Sequence, residues 1–533
     1  MKGYTSVIVV ICLLGGFFLG TQLNSNDNKG LTCATDNKLS EVLDIIETSY
    51  VDSTDIDSII EKSLPKVISE LDPHSVYIPQ KDVEASNSDL QSSFSGIGIR
   101  FTIQEDTIHV SDVIRGGPSE KVGMLAGDRI IKVNDTLFVG KDVCTNDKAL
   151  KKLKGPKGSY VKVSVERYGE KELLDFNIRR DEIPVESIEA TYMINNKWGY
   201  VQIERFAENT FAEFIHALAM FVSNNAKGMI IDLRGNGGGY MAIAIEMANQ
   251  FLGRGDMIVY TEGEHSEKII ERANGFGMFQ DMPLVILVDE TSASASEIIA
   301  GTIQDNDRGT IIGRRTFGKG LVQQQFELND GSMMRLTIAR YHTPSGRCIQ
   351  KPYTKGDKEK YEMDLMERYT RGEFFSQDSI HLNEKLTYKT RKGRTVYGGG
   401  GIMPDIFVSS DTTDLTSYSQ EAFSRGLISR FAMQYSDKNR PTLSRHKTYE
   451  EMVRYLDTQP VLDNFVEYAT KKGLKRRNNL IAKSKEVLTR SLYSHIIYQM
   501  QGMLEHVKYI NLDDPTVQKA IEVLEKGEAF PKE

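Results

Sequence analysis

Two nearly unbroken apolar runs, residues 228–233 and 283–289, constrain the fold of this chain more than any other feature. Runs without polar alternation are typical of β-strands that are covered on both faces, as in parallel sheets flanked by helices. Segments with helical spacing alternate with such runs between residues 199 and 349. The sequence therefore predicts a layered α/β core.

The rest of the 533-residue chain divides into regions of different texture. Short alternating runs with glycine turns predict a β-sandwich-like module, and apolar residues at helical spacing predict helical regions on either side. We therefore predict a multidomain α/β protein with these parts: 1–35, an export segment plus linker; 36–93, a small helical N-terminal region; 94–182, the β-module; 183–408, the α/β core, with a charge-rich insertion or long loop at 352–395; and 409–533, a helical C-terminal region.

The first residues predict export. Lys2 precedes an apolar run at residues 7–19, and a polar stretch follows it. This pattern is typical of a secretory signal, and the run is shorter than the ~20 residues of a bilayer span. Cleavage as a signal peptide and retention as an inner-membrane anchor over residues 4–20 both remain open. We expect the protein in the periplasm or the cell envelope.

Composition argues against several classes of function. The chain has 66 Lys and Arg residues against 74 Asp and Glu residues, and a net charge of −8 disfavours nucleic-acid binding through bulk charge. The four cysteines are too few for a disulfide scaffold, and no Cys/His cluster has the spacing of a zinc site. We expect no metal and no other cofactor.

Residues 313–320 match the phosphate-loop pattern GxxxxGK up to its last position. Gly320 stands where such a loop needs Ser or Thr to bind magnesium. The residues that follow have the pattern of a strand, whereas a phosphate loop leads into a helix. The sequence therefore disfavours an NTPase.

Residues 291–297 place three serines and two alanines between the second apolar run and a helical segment. Ser294 could cap the helix, with Glu297 returning a hydrogen bond to its amide. A serine at this junction is also exposed and close to unpaired helix amides, which could hold a developing oxyanion. Taken alone, the residues leave both the cap and the nucleophile open.

Lys319 lies between two glycines on a loop before a strand-like run. It could be an ordinary solvated lysine, but burial would lower its pKa, and a neutral lysine can deprotonate a serine hydroxyl. Gln323 would share a face of the strand with Lys319, and Gly320 permits the bend that contact between them requires. Neither motif contains a histidine, which favours a Ser-Lys pair over a Ser-His-Asp triad.

Two glycine-rich turns could bind a peptide. The sequence DLRGNGGGY at residues 232–240 is either a tight structural turn or a source of a second oxyanion donor. At residues 95–98, converging glycine-turn amides could capture a terminal carboxylate, and the strand that follows could pair with an extended peptide. Each signal is weak by itself.

Together these motifs resemble the carboxyl-terminal processing peptidases, the S41 serine proteases also called tail-specific proteases. The resemblance covers roughly residues 36–407 and rests on motifs in the order of the family, at 71–75, 95–98, 126–128, 232–236, 292–297, 316–320 and 341–347. It implies that residues 94–182 form a PDZ domain and that the core is a ClpP/crotonase-like protease fold.

The resemblance also implies which residues carry the chemistry. The family keeps 25 residues between its serine and lysine, which selects Ser294 (319 − 294 = 25) over Ser292 and Ser296. Asp305 matches a position that the family often keeps, but it lies about three helical turns beyond Ser294, so we interpret it as structural. The implied roles are: catalytic, Ser294, Lys319 and Gln323; oxyanion, Ala295 and Gly238, with Gly239 as an open alternative; substrate-binding, Ser95, Gly96, Ile97 and Gly98.

The implied function is a serine endopeptidase that recognises C-terminal tails of exported proteins through its PDZ domain and cleaves near them. Its partners would be proteins with apolar tails, and an adaptor or a second copy could bind the helical regions. No nucleic acid is expected, and membrane contact would involve only the N-terminal segment. The alternative is a catalytically silent PDZ protein that binds tails, against which the complete Ser, Lys and Gln set weighs.

Overall fold

The computed structural model describes residues 36–88 and 93–531, which form two compact units divided after residue 68. The first unit contains α1 (Asp36–Ser49) and nearly all of α2 (Ile56–Ser69), as the helical spacing predicts. The predicted export segment lies outside the described residues. Among the residues that are described, no helix is long and apolar enough to cross a membrane.

The second unit opens with β1 (Val76–Ile78) and α3 (Gln80–Ser88), and an antiparallel β-module follows. Five strands of the module lie in the order β3-β4-β5-β7-β8, so within the described residues β3 pairs with β4 and has no strand on its other side. Alternate side chains such as Val161, Val163 and Val165 are buried in its core. The elements are β2 (Ser93–Gly96), β3 (Ile99–Gln104), β4 (Thr107–Val113), α4 (Pro118–Lys121), β5 (Arg129–Val133), β6 (Thr136–Leu137), α5 (Asn146–Leu153), β7 (Tyr160–Glu166), β8 (Leu174–Arg179) and β9 (Asp181–Pro184).

The α/β core is built on a six-stranded sheet of order β10-β11-β12-β15-β16-β21, parallel from β11 onward. Every residue of β12 and β15 is buried, which confirms the strands predicted from the two apolar runs. The elements are β10 (Ile188–Ile194), β11 (Trp198–Ile203), α6 (Thr210–Ser223), β12 (Gly228–Asp232), α7 (Met241–Ala248), β13 (Met257–Gly263), β14 (Ser266–Arg272), β15 (Leu284–Val288), α8 (Ala295–Asp305), β16 (Thr310–Gly313), β17 (Leu321–Glu327), β18 (Met333–His342), α9 (Lys358–Thr370), β19 (Thr387–Lys389), β20 (Thr395–Tyr397) and β21 (Ile406–Phe407).

A second, antiparallel sheet stands beside the first, with the order β1-β18-β13-β14 and with β17 paired to β18. The loop that carries Lys319 leads directly into β17. Gln323 therefore lies on β17, and the predicted base, Lys319, lies in the loop just before this strand.

The predicted loop at 352–395 is wrong in part, because this segment contains α9 and the hairpin β19–β20. Charged residues dominate α9, so its helical period is hidden in the sequence. Only a few side chains, such as Tyr361 and Arg368, turn inward, and both are buried. Arg368 donates to the carbonyls of Arg315 and Thr316, which places the helix beneath the lysine loop.

The C-terminal region is helical, as predicted, and the multidomain α/β fold class is confirmed. A buried apolar cluster holds most of its helices together, and the last helix packs elsewhere, on the six-stranded sheet. The helices are α10 (Ser417–Ser424), α11 (Leu427–Leu443), α12 (Tyr449–Leu456), α13 (Val461–Lys471), α14 (Asn478–Lys483), α15 (Lys485–Gln501), α16 (Met503–Ile510) and α17 (Pro515–Glu525).

The helical region also packs on the β-module. Arg440 of α11 donates to the Ala126 carbonyl, and Lys472 forms an ion pair with Glu105 at 2.9 Å. Gly127 suits this contact because its φ of +95° would strain a residue with a Cβ, and a Cβ would also lie 2.1 Å from a carboxylate oxygen of Asp437, which would have to move. The β-module is thus held by residues far away in sequence.

Candidate active site

The junction between β15 and α8 holds Ser294 in an unusual backbone conformation. Its φ is 57° and its ψ is −114°, which is strained for a residue with a Cβ. Residues in such conformations persist only where the surrounding structure holds them, and they cluster at functional sites. The strain therefore singles out Ser294 among its neighbours.

The two neighbouring serines have structural hydrogen bonds instead. The hydroxyl of Ser292 donates to the Leu233 carbonyl at 2.8 Å, and that of Ser296 donates to the Asn236 carbonyl at 2.9 Å. Both side chains are fully buried. Together they join α8 to the glycine turn that follows β12.

Ser294 opens instead onto a cavity of about 1010 Å³. Its walls come from the glycine turn, from the start of α8, and from the lysine loop with β17. The predicted Lys319 and Gln323 border the same cavity, and so do all three glycines of the turn. The lining residues used below are Gly237, Gly238, Gly239, Ser294, Lys319, Leu321, Val322, Gln323, Gln324, Gln325, Arg335 and Tyr341.

The carboxylate of Glu297 joins the serine to the lysine loop. One oxygen accepts from the amides of Ser294 at 2.9 Å and Lys319 at 2.8 Å. The other accepts from the Thr316 hydroxyl at 2.5 Å and the Gly318 amide at 2.7 Å. Burial raises the pKa of Glu297, while these four donors oppose that rise. The capping bond predicted for Glu297 is present, but it is one of four.

The hydroxyl of Tyr341 makes a second connection between the same two segments. It lies 2.6 Å from the Lys319 carbonyl and 3.1 Å from the Ser294 carbonyl. Tyr341 itself is fully buried in the core. Two side chains therefore connect the main chains at Ser294 and Lys319. Glu297 bonds their amides, and the Tyr341 hydroxyl lies within bonding distance of their carbonyls.

Burial lowers the pKa of Lys319, and the nearby Arg335 guanidinium lowers it further. Glu297 and Asp72 act in the opposite direction. Within residues 36–88 and 93–531, no hydrogen bond joins the side chains of Ser294 and Lys319. Both residues line one cavity, and burial favours the neutral form of the lysine.

The side-chain amide of Gln323 also remains available in the cavity. Its Nε2 atom is buried and has no hydrogen-bond partner among the described residues. A buried donor without a partner is costly, which is why such groups are expected to pair when a ligand enters. The predicted position of Gln323, near Lys319 and on β17, agrees with this geometry.

The glycine turn lies against Ser294. A Cβ on Gly238 would lie 2.7 Å from the Cβ of Ser294, so only glycine fits there. In this conformation the Gly238 amide donates to Oδ1 of Asn236 at 2.8 Å. The side chain of Asn236 in turn donates to the Ile203 carbonyl at 2.8 Å. The choice between Gly238 and Gly239 as an oxyanion donor stays a prediction.

Further residues behind the lysine loop were missed by sequence reasoning. Oε1 of Gln350 accepts from the Gly320 amide at 2.8 Å, and its Nε2 donates to the Tyr361 hydroxyl at 3.3 Å. His74 bonds the same hydroxyl at 2.9 Å, and burial lowers the pKa of His74 to about 4. The motif at 71–75 therefore meets α9 beneath the loop.

Signals for the missed residues were uneven. Tyr341 belongs to the quoted motif at 341–347, which could have drawn attention to it. Asp305 and Arg347 form a fully buried ion pair at 2.7 Å, in agreement with a structural role for Asp305. Arg335 lies in no motif, so only its position on β18 identifies it.

The predicted carboxylate loop of the β-module is tightly folded. The carbonyl of Ile97 accepts from the amide of Ser119 at 3.0 Å and from its hydroxyl at 2.6 Å. The Ile97 side chain is buried in the module's core, so only its backbone could contact a tail. Gly98 has a φ of +76°, which a side chain would strain, and Gly96 and Ser95 pair with β9.

No group of three or more His, Cys, Asp or Glu residues in the described part of the chain could hold a metal ion.

Sequence comparisons agree with this architecture. Residues 197–359 match the profile of Peptidase family S41, and residues 95–178 match that of the PDZ domain. Residues 418–502 match a family of unknown function, DUF8443. The modules and the serine site thus define a PDZ-containing serine-type peptidase.

Full-length relatives narrow this class to a family. The chain is 35% identical to the carboxy-terminal processing protease CtpA of Bacillus subtilis, over 62% of this chain and 69% of that relative. It is 33% identical to the carboxy-terminal-processing protease of Bartonella bacilliformis, over 64% and 80%. The solved photosystem II D1 C-terminal processing protease is 24% identical, with a TM-score of 0.36, over 70% of this chain and 94% of that one. The chain belongs to the carboxy-terminal processing proteases, as its motifs predicted.

Proposed function

We propose that this peptidase is a Ser-Lys endopeptidase that binds the apolar C-terminal tails of exported proteins through its PDZ domain. Ser294 is the nucleophile, Lys319 the general base, and Gln323 orients the lysine. One observation carries the proposal. Glu297 and Tyr341 each form hydrogen bonds with the main chain of both Ser294 and Lys319, which line the same cavity. A fixed spacing between nucleophile and base is what covalent catalysis requires.

The reaction needs a single base. As Oγ of Ser294 attacks the scissile carbonyl, Nζ of Lys319 takes the hydroxyl proton and passes it to the leaving amine. The resulting acyl-enzyme is opened by water, whose proton again goes to Lys319 before it returns to Ser294. Burial supports this role because it favours the neutral lysine.

Two backbone amides are suited to the developing oxyanion. The Ala295 amide lies at the N-terminus of α8, where helix amides lack partners within the helix. Gly238 lies against Ser294, and its amide would have to exchange Asn236 for the substrate oxygen. Amides aimed at developing charge are among the largest contributions to catalysis.

The free edge of β17 supports binding of the substrate as an added strand. Five consecutive residues at its start border the cavity, and the strand pairs with β18 on its other side. An extended chain could form main-chain hydrogen bonds along this edge and pass Ser294. In the PDZ domain, the free edge of β3 and the turn at 95–98 offer the tail a similar arrangement. The apolar run at residues 7–19 supports export of the enzyme itself.

Lys319→Met tests the proposed base, because methionine keeps the length of the side chain and removes the amine. We expect loss of cleavage of an unfolded protein that ends in apolar residues, together with an unchanged or higher melting temperature. Stability should not fall, because the buried lysine binds a proton less tightly in the folded than in the unfolded state, which costs stability at pH 7. Cleavage rate and thermal unfolding are measured on protein lacking residues 1–35.

The same substrate with charged residues at its C-terminus is the control for tail recognition. It should be cleaved more slowly by the wild-type protein and should bind the PDZ domain more weakly. Full cleavage by Lys319→Met at neutral pH would contradict the role of the lysine. Equal cleavage of both substrates would contradict tail recognition, but it would not affect the role proposed for the lysine.

Activity should rise with pH through the lowered pKa of Lys319, since only the neutral amine accepts a proton. Arg335→Met removes a cation that lowers this pKa, so the midpoint of the kcat/KM profile should move to higher pH. Arg340→Met is the matched control, because Arg340 lies on the same strand but is exposed. A midpoint that stays in place in Arg335→Met, or moves to lower pH, would contradict this electrostatic effect.

A further inference from the structure

Helix α17 packs on the protease core and lies outside both the S41 match and the DUF8443 match. Helix α17 covers one face of the six-stranded sheet, where Val517, Ala520 and Leu524 are buried with Trp198 and Tyr200. Helices α6, α7 and α8 cover the other face. Helix α17 thus contributes to one of the two layers that cover the sheet.

The two carboxylate oxygens of Asp514, directly before α17, have different partners. One carboxylate oxygen accepts from the amides of Thr516 and Val517, both at 2.9 Å, and so caps the helix. The other accepts from a terminal guanidinium nitrogen of Arg234 at 2.8 Å. The cap therefore aims the second oxygen at a residue 280 positions earlier in the chain.

Arg234 is otherwise bound to the end of β12. Its Nε and Nη2 atoms bond the Asp232 carboxylate at 2.9 and 2.6 Å, and the Tyr200 hydroxyl bonds the same carboxylate at 2.7 Å. Asp232 is fully buried, and Arg234 is largely so. Asp514 completes this network by taking the guanidinium nitrogen that does not contact Asp232.

Arg234 is also the residue that leads into the glycine turn at 235–239. The turn is fixed further along by Asn236, whose carbonyl accepts from Ala293 and Ser296. Its first amide, of Gly235, reaches the Asp289 carboxylate only at 3.2 Å. The entry to the turn is held by the hydrogen bonds of Leu233 with the Leu287 carbonyl and the Ser292 hydroxyl, and by the side chain of Arg234.

We propose that Asp514 is a positioning residue for catalysis, which acts through Arg234 to hold the glycine turn against Ser294. The proposal rests on the proposed function, because the turn matters only if it lines the reacting centre. If Asp514 has this role, helix α17 contributes to positioning the active site. Loss of the contact should lower kcat more than it raises KM, since an oxyanion donor acts chiefly in the transition state.

The test is Asp514→Asn, because asparagine is also a good helix cap but cannot pair with a guanidinium as a carboxylate does. We expect kcat for an apolar-tailed substrate to fall roughly ten-fold or more, with KM within about two-fold and an unchanged melting temperature. Hydrogen exchange at 235–239 should become faster, and Asp514→Glu should restore part of the rate. Glu522→Gln, which removes an exposed carboxylate from the same helix, should change none of these.

Two results would overturn the proposal. One is Asp514→Asn with wild-type exchange at 235–239 and wild-type kcat. The other is a fall in kcat that follows a fall in melting temperature and is not restored by Asp514→Glu, because it would make Asp514 only a helix cap. Failure of the proposed function looks different: the wild-type protein would show no cleavage that depends on Ser294, while the exchange at 235–239 would still report on the positioning.

Discussion

Ser294→Ala should abolish cleavage, with kcat falling on the order of 10⁶-fold, to the limit of detection. Alanine removes the oxygen that attacks the substrate, and the hydroxyls of Ser292 and Ser296 are bonded elsewhere, to the carbonyls of Leu233 and Asn236. The fold should persist, because the strained backbone at residue 294 is held by Glu297 and Tyr341 through main-chain groups. The measurement is cleavage of an apolar-tailed unfolded protein, with covalent labelling by a serine-reactive probe alongside it.

The neighbouring serines supply the matched controls. Ser296→Ala removes one buried hydrogen bond, and Ser292→Ala removes the bond to the Leu233 carbonyl and the bond from the Asp289 amide. Each lost bond costs about 1–2 kcal/mol of unfolding free energy. Both variants should still cleave the substrate and accept the probe. Cleavage by Ser294→Ala, or its loss in a folded Ser292→Ala protein with Ser294 still reactive, would show that the wrong serine has been chosen.

Glu297→Gln should be strongly damaging to both activity and stability, although it conserves size. The Glu297 carboxylate accepts hydrogen bonds from four donors. The glutamine side chain has one acceptor oxygen, and its NH2 group would face two of those donors without being able to accept from them. We expect kcat to fall roughly 100-fold or more, because the serine and lysine segments lose their common partner. The free energy of unfolding should fall by about 3 kcal/mol or more.

Glu290→Gln is the control for Glu297. Glu290 lies in the turn before α8 and forms an ion pair at 2.7 Å with Arg314, at the start of the lysine loop, but among the described residues it bonds neither Ser294 nor Lys319. Its replacement should change stability slightly and kcat hardly at all. A Glu297→Gln protein with wild-type kcat would show that Tyr341 alone fixes the spacing of the two segments.

The fold was largely predictable because its signals are local. The apolar runs that became β12 and β15 have no alternation, which is typical of strands covered on both faces. Helix α9 was missed because its inward positions are few and its charged residues are many. Its buried Arg368 bonds the carbonyls of Arg315 and Thr316. Contacts with such distant residues do not produce a helical period of apolar residues in the sequence.

The candidate site was predictable where a residue type is unusual in its local setting. A serine among small residues and a lysine between glycines both stand out in a chain. Tyr341 and Asn236 are ordinary residues whose importance comes from the two segments they join. Arg335 affects Lys319 only because β18 brings it to the same cavity.

The sequence by itself therefore determined the layered α/β core, and its motifs, through their resemblance to a family, indicated the PDZ module, the family and the candidate serine and lysine. Each of these signals depends on patterns of neighbouring residues. Only the tertiary structure decided how those two residues are held together by Glu297 and Tyr341. It also decided that Asp514, near the end of the chain, contacts Arg234 at the glycine turn. The physical reason is that burial and long-range hydrogen bonds depend on which surfaces meet, and a linear pattern does not record that.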